Sequence, residues 1–267
     1  MNPKKIINFY SLRRSGQHAI IFWYLFKYNL NLVPLNSNLS HYFSYHYCSE
    51  DKETLFFIND QSHADQWKQV LKSCNIIPEN PILIRNFEDQ FVNLGTQGEN
   101  IVIVRDLINL ISSRKKLLEN IIEQPRLRPT QLQHKIYTQE EIERIRASFT
   151  KEIPSLIQKW KSHVSFLTRK NLPIDVIVYN KWLLSKDYRK DVSLKLNMPE
   201  NIDITSYIPR TGDCSSFIGQ TLEKEKANYL KRHKLVNLPN DIKEIIINDK
   251  FLIDLHQEHF DLNLKNI

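Results

Sequence analysis

Glycine is scarce in this chain, and its positions constrain how the backbone can bend. Only 5 of the 267 residues are glycine, and three of them, Gly16, Gly212 and Gly219, lie in two short segments that also carry arginine and serine. Glycine adopts left-handed and tightly bent conformations more readily than any other residue. A bent loop of this composition at the start of a helix is typical of an anion-binding site, because backbone N–H groups converge there.

The first of these segments is residues 11–18, SLRRSGQH, between a strand-like run and a helix-like run. A phosphate bound there would meet free N–H groups and the positive end of the helix dipole. Arg14 would add charge, and Gln17 or His18 would supply a polar contact. No Walker A pattern, GxxxxGK[ST], occurs anywhere in the chain, which argues against an ordinary ATP-dependent kinase. The same residues also fit a helix capped by Ser15 beside a surface arginine pair.

Length and composition indicate one globular domain, residues 1–267, with enough chain for a large core. The net charge of +7 fits an anionic ligand, but the basic residues are scattered, so nucleic acid is not expected as a partner. The three cysteines are widely spaced and form no zinc or CxxC pattern, which fits a reducing compartment. The sequence has neither a signal-peptide pattern nor an apolar run of membrane-spanning length. We therefore expect a cytoplasmic soluble protein.

Apolar runs typical of buried strands alternate with segments of helical spacing. Residues 29–49 show no clear period and are predicted to form a long loop. The order of elements predicts an α/β class with a central, mostly parallel sheet flanked by helices and a helical C-terminal part. The predicted strands are 5–10, 55–58, 81–85, 100–105 and 173–179; the predicted helices are 18–28, 64–74, 107–124, 139–170 with a break or kink at Pro154, 186–196, 222–233 and 241–260.

A second basic constellation, residues 103–114, follows the most regular predicted strand. Arg105 lies at the carboxyl end of that strand, where open α/β sheets bind their ligands. Ser113 comes eight residues later, about two helical turns along, so the arginine and the hydroxyl can hold one phosphate together. The alternative is that Asp106 is a favourable charge at the helix N-terminus and that Arg105 pairs with it.

Four segments, in order along the chain, resemble the motifs of sulfotransferases that use 3′-phosphoadenosine 5′-phosphosulfate (PAPS). Residues 14–16 resemble the loop that binds the 5′-phosphosulfate, and residues 104–113 resemble the motif that binds the 3′-phosphate. Residues 176–183 resemble the strand that ends in a tyrosine near the adenine. Residues 210–217 resemble the C-terminal loop that closes over the nucleotide. Lysine is missing from that last loop, and the tyrosine is followed by Asn-Lys instead of an acidic residue, as in a divergent bacterial member.

The resemblance implies a P-loop-like sulfotransferase fold and transfer of a sulfuryl group from PAPS to a hydroxyl or amine of a small molecule such as a natural product. The desulfated nucleotide PAP would be the product, and no metal is needed in the family. The residues implied in nucleotide binding are Arg13, Arg14, Ser15, Gly16, Gln17, His18, Arg105, Ser113, Tyr179, Arg210, Gly212, Ser215 and Ser216.

The family removes the acceptor proton with a histidine or a glutamate. A base that works near neutral pH favours histidine over an unperturbed carboxylate. Two of the candidate histidines belong to an aromatic segment, 40–47, that suits a flat or cationic acceptor. The candidates are His18, His41, His46, Glu50 and Glu88.

Two other functions remain open from the residues alone. A divergent P-loop-type kinase or phosphotransferase would use Asp106 for magnesium, but it lacks the lysine of its phosphate loop. A basic module that binds polyanions or nucleic acid would use the Lys/Arg clusters at 114–116 and 126–128, although such runs usually form a solvated helix face.

Overall fold

The structure is a computed structural model, and it describes residues 5–25, 33–34, 45–48, 55–60, 82–123, 137–169, 171–198 and 238–260. By backbone proximity the chain divides into two compact units. Unit 1 comprises Met1–Val104 and Ser162–Gly212, and unit 2 comprises Arg105–Lys161 and Asp213–Ile267.

The strands of unit 1 form a seven-stranded sheet in the order β2-β3-β4-β5-β1-β6-β7. β4, β5, β1, β6 and β7 run parallel to one another, whereas β3 pairs antiparallel with both β2 and β4. The α/β class and the mostly parallel sheet are therefore confirmed. The strands are β1 (Lys5–Ser11), β2 (Val33–Pro34), β3 (Tyr45–Cys48), β4 (Leu55–Asp60), β5 (Ile82–Glu88), β6 (Glu99–Val104) and β7 (Ile174–Val178).

β1 lies at the centre of the parallel strands, between β5 and β6, and its apolar side chains form the core of unit 1. Ile7 and Phe9 are fully buried, and Phe9 is paired in register with Asn86 of β5 and Ile101 of β6. A strand paired on both edges and covered on both faces has little contact with water, which is why its sequence is nearly continuous in apolar residues.

The connection from β5 to β6, residues 89–98, crosses β1 without forming a helix. The Tyr10 hydroxyl hydrogen-bonds the Asn93 carbonyl at 3.1 Å, and the Asn8 amide donates to the Gln97 carbonyl at 3.1 Å. These bonds pair side-chain donor groups of a central strand that would otherwise lose their water partners without compensation.

The long loop predicted over residues 29–49 is wrong in part, because β2 and β3 lie within it. Tyr45 is opposite Ile58 and His46 is opposite Phe57, so β3 exists as the antiparallel partner of β4. A four-residue strand is too short to show a period, and its stability comes from the neighbouring strand.

Unit 1 also contains three helices and one turn of 3-10 helix, Ser165–Leu167, within its described residues. Tyr179 was predicted as the end of a strand, but it is the first residue of a helix because β7 ends at Val178. Trp182 on that helix packs edge-on against Trp23, with ring centroids 5.6 Å apart. The helices are α1 (Gln17–Leu25), α4 (Tyr179–Leu184) and α5 (Lys186–Lys195).

The remaining described helices are α2 (Leu107–Glu123), α3 (Gln139–Val164), α6 (Asn240–Ile247) and α7 (Lys250–Phe260). α3 continues through Pro154, so the predicted break is wrong. Pro154 is exposed while its neighbour Ile153 is fully buried. The carbonyl group that proline leaves without a partner can therefore be hydrated, and the buried face keeps the helix in place.

The single helix predicted over 241–260 is two helices, because Asp249 starts a new one. Its side chain accepts the N–H of Leu252 at 3.1 Å, and its carbonyl accepts the N–H of Ile253 at 3.1 Å. Aspartate in this position is a strong helix cap. The predicted helices 64–74 and 222–233 lie outside the described residues. No helix among the described residues is long and apolar enough to cross a membrane.

Candidate functional site

The topology of unit 1 has a switch point between β1 and β6. After β1 the chain goes to β2, β3 and β4 on one side of the sheet, and after β6 it goes to β7 on the other side. β1 and β6 are adjacent and parallel, so their carboxyl ends lie at the same edge. Open α/β sheets bind ligands outside the carboxyl ends of such strands. This places the first basic segment, after Ser11, at the expected location.

The β1–α1 loop, Leu12–Gly16, has an unusual backbone. Arg14 has φ 74° and Gly16 has φ 86°, so two of its five residues are left-handed. The N–H of Ser15 donates to the Leu12 carbonyl at 2.9 Å, which closes a turn between them. A left-handed residue other than glycine costs about 1–2 kcal/mol. Strain of this kind persists where surrounding contacts hold it, and it is common in loops that bind ligands.

Tyr179 packs directly against Gly16. A Cβ atom added to Gly16 would lie 2.2 Å from Tyr179 Cε2, and the tyrosine ring stacks on Trp182 at a centroid distance of 5.8 Å. Two residues that the resemblance assigns to nucleotide binding are thus in contact, although 163 positions separate them in the chain. The close approach requires glycine at position 16 for reasons of space as well as conformation.

Glu88, one of the candidate bases, lies beside the β1–α1 loop. Its carboxylate accepts a hydrogen bond from the Gln17 side chain and lies 3.4 Å from Arg13 Nε. The adjacent Asp89 carboxylate accepts the backbone N–H of Arg13 at 2.9 Å. Arg13 is largely exposed, whereas Ser15 and Gln17 are buried. The structure therefore brings the loop, a carboxylate and an exposed guanidinium together in unit 1.

The second constellation belongs to unit 2. Arg105 is 3% exposed, and its carbonyl accepts the indole N–H of Trp160 at 2.6 Å. Asp106 caps α2, because its two carboxylate oxygens accept the backbone and side-chain N–H groups of Asn109 at 2.7 and 3.1 Å. Ser113 is buried on the same helix. The expected helix N-terminal role of Asp106 is thus observed.

His256 is a buried residue near this constellation that sequence reasoning missed. Its Nε2 atom accepts the N–H of Leu107, the first residue of α2, at 3.1 Å. Its ring stacks on Trp160 at 5.0 Å, and burial lowers its pKa to about 4, although the Asp106 carboxylate opposes that shift. A neutral imidazole therefore helps fix the residues that follow β6. The partners are 149 residues apart, so no local pattern indicates the contact.

The remaining candidates have no described side-chain geometry. His18 is the second residue of α1 and His46 lies in β3, and only their backbones are described. The candidates outside the described residues are His41, Glu50, Arg210, Gly212, Ser215 and Ser216. Within the part of the chain that the structure describes, no group of three or more His, Cys, Asp or Glu side chains is arranged to hold a metal ion.

The sequence matches no protein-family model, and no curated protein is significantly similar to it.

Proposed function

We propose that this protein is a PAPS-dependent sulfotransferase with a P-loop-like sulfotransferase fold, acting in the cytoplasm on a small-molecule acceptor such as a natural product. The observation that carries the proposal is the β1–α1 loop. It has left-handed Arg14 and Gly16, it leads into a helix, and it lies at the switch point of a parallel sheet. A basic loop before a helix N-terminus is suited to an anion, since the first N–H groups of the helix lack intrahelical partners.

The proposed role of this loop is to bind the 5′-phosphosulfate. Arg14 supplies charge, and the N-terminus of α1 supplies N–H groups and a partial positive charge. Tyr179, at the carboxyl end of β7, restricts the loop through its contact with Gly16. Arg105 and Ser113 are proposed to bind the 3′-phosphate, as the resemblance implies, and the capping of α2 by Asp106 fixes the start of the helix that carries Ser113.

The proposed chemistry is an in-line displacement at sulfur. The acceptor oxygen or nitrogen forms a bond to sulfur, the bond from sulfur to the bridging phosphate oxygen breaks, and PAP leaves with the electron pair. Arginine side chains beside the loop stabilise the charge that develops on the bridging oxygen. Among the candidate bases, Glu88 has the support of geometry, because its carboxylate contacts both Gln17 and Arg13. It would accept the acceptor proton; His18, His41 and His46 remain candidates for the same role.

Thermal denaturation with three probes tests the proposal: PAP, ATP with magnesium, and a short DNA duplex. A ligand that binds only the folded state raises stability by RT ln(1 + [L]/Kd), about 2.7 kcal/mol at a hundredfold excess over Kd. We expect PAP to raise Tm and the other two probes to have little effect. Stabilisation by ATP with magnesium alone would favour a phosphotransferase, and stabilisation by DNA alone would favour a polyanion-binding module. PAPS with a panel of acceptors and mass detection then tests sulfuryl transfer itself.

Two variants separate binding from folding. Arg14→Gly removes the proposed charge and relieves the left-handed strain, so it should weaken PAP binding without lowering stability. Arg105→Lys keeps a charge but loses the fork of N–H donors, and it should also weaken PAP binding. Arg144→Ala, which removes an exposed arginine from α3, is the matched control. PAP affinity that is unchanged in both site variants would exclude the proposed nucleotide site.

A further inference from the structure

Asp89, the residue that follows β5, forms hydrogen bonds with the chain on both sides of Leu12. The N–H of Asp89 donates to the Ser11 carbonyl at 2.9 Å, and the Asp89 carboxylate accepts the N–H of Arg13 at 2.9 Å. The two bonds span the buried Leu12 and fix the direction in which the chain leaves β1.

Asp89 itself has φ 59°, a left-handed conformation that is uncommon outside glycine, asparagine and aspartate. The strands β1 and β5 end in register at Ser11 and Glu88, so Asp89 is the first residue beyond the paired region. A left-handed turn here points its side chain back to the Arg13 amide instead of continuing the strand. Arg14, the residue after Arg13 in the loop, is also left-handed.

We propose that Asp89 is a positioning residue for the anion-binding loop. Its carboxylate orients the Arg13 amide so that the following residues, Arg14 to Gly16, take the left-handed geometry before a ligand arrives. The proposal rests on the proposed function, because it assigns to Asp89 the preorganisation of that same loop. Preorganisation raises affinity since the ordering cost is met during folding and not during binding.

Two substitutions distinguish the hydrogen bond from charge and from backbone conformation. Asp89→Asn keeps an oxygen acceptor and tolerates a left-handed φ, but it removes the charge. Asp89→Gly tolerates the same φ and also removes the charge, but it has no acceptor for the Arg13 amide. Loss of a negative charge beside an anion site strengthens anion binding in both variants equally. A weaker affinity found only in the glycine variant therefore reports the lost hydrogen bond.

The experiment measures PAP affinity by calorimetry and the amide hydrogen exchange of Arg13 and Ser15 in the absence of ligand. We expect Asp89→Gly to weaken PAP binding about 10- to 100-fold, as for loss of a hydrogen bond to a charged group, and to speed exchange at both amides. Asp89→Asn should retain affinity within about threefold and retain protection, because a hydrogen-bond acceptor is still present. Wild-type affinity in Asp89→Gly, or equal losses in both variants, would overturn the proposal.

The amide exchange keeps this inference separate from the sulfotransferase proposal. If the wild-type protein does not bind PAP, the proposed function fails, but amide hydrogen exchange still tests whether Asp89 orders the loop. Faster exchange at Arg13 in Asp89→Gly, with protection retained in Asp89→Asn, would support the positioning role for a different anion. Unchanged exchange in both variants would refute it whatever the ligand is. Circular dichroism of each variant verifies that the comparison is made between folded proteins.

Discussion

Substituting Gly16 by alanine tests the geometry of the loop most directly. The added Cβ would lie 2.2, 2.4 and 2.5 Å from three atoms of the Tyr179 ring, well inside van der Waals contact. The ring has no simple way to retreat, because it stacks on Trp182, which in turn packs against Trp23. Alanine must also adopt φ 86°. We therefore expect both a steric penalty and a backbone penalty.

The two penalties have different expected sizes and can be measured separately. Forcing an L-residue into the left-handed region costs about 1–2 kcal/mol. Overpacking a buried contact costs about 1–3 kcal/mol. Gly16→Ala should thus lower the free energy of unfolding by about 2–5 kcal/mol, a large share of the 5–15 kcal/mol of an ordinary domain. Urea denaturation followed by tryptophan fluorescence and far-ultraviolet circular dichroism gives the value.

A double-mutant cycle with Tyr179→Ala isolates the steric part. Without the ring, Gly16→Ala should cost only the backbone term of about 1–2 kcal/mol. Gly95→Ala is the matched control. Gly95 is exposed and has no left-handed φ, and an added Cβ would meet only the Asn93 side-chain oxygen, at 3.3 Å, so we expect a change below about 1 kcal/mol. A cost of Gly16→Ala below about 1 kcal/mol, or an equal cost with and without the tyrosine ring, would refute the described contact.

Three further predictions follow from the site and its supports. Glu88→Gln should lower the rate of sulfuryl transfer about 100-fold or more, because the proton acceptor is lost. PAP affinity measured by calorimetry should not weaken, because the substitution also removes a negative charge beside the proposed anion site; an unchanged rate would exclude Glu88 as the base. Asp106→Ala should lower stability by about 1–2 kcal/mol through loss of the α2 cap, and Asp106→Asn should retain most of it, as urea denaturation of the pair can show. His256 has a folded pKa of about 4, below its unfolded value, so the unfolded state binds the extra proton between about pH 4 and pH 6.5 and stability falls as the pH falls through that window. The loss in the free energy of unfolding should reach about 3 kcal/mol. Glutamine cannot ionise, so His256→Gln should remove this pH dependence, which denaturation curves at pH 4.5 and pH 7 can measure.

Much of the α/β architecture was predictable because the parallel strands are strongly apolar. β1, β5 and β6 were each placed within a few residues, and so were α1 and α2. Their signals are local: continuous apolar runs for buried strands and helical spacing for the segments between them. β3 was missed because a short strand is stabilised by its partner and carries little signal of its own.

The composition of the candidate loop was also visible in the sequence, but its structural supports were not. A glycine between arginine and serine at the start of a helix indicates a bent backbone whatever surrounds it. That this glycine also faces the ring of Tyr179 depends on β7 ending one residue before that tyrosine.

The amino-acid sequence by itself determined the class of the fold, the position of its central strands and the site of the basic loop, because backbone propensity and the burial of apolar side chains act over a few neighbouring residues. Only the tertiary structure decided which side chains hold that loop: Asp89 reaches Arg13 across 76 positions, and in unit 2 His256 reaches Leu107 across 149. Such contacts arise when distant strands and helices pack together, and a hydrogen bond between distant residues leaves no periodic pattern in either segment.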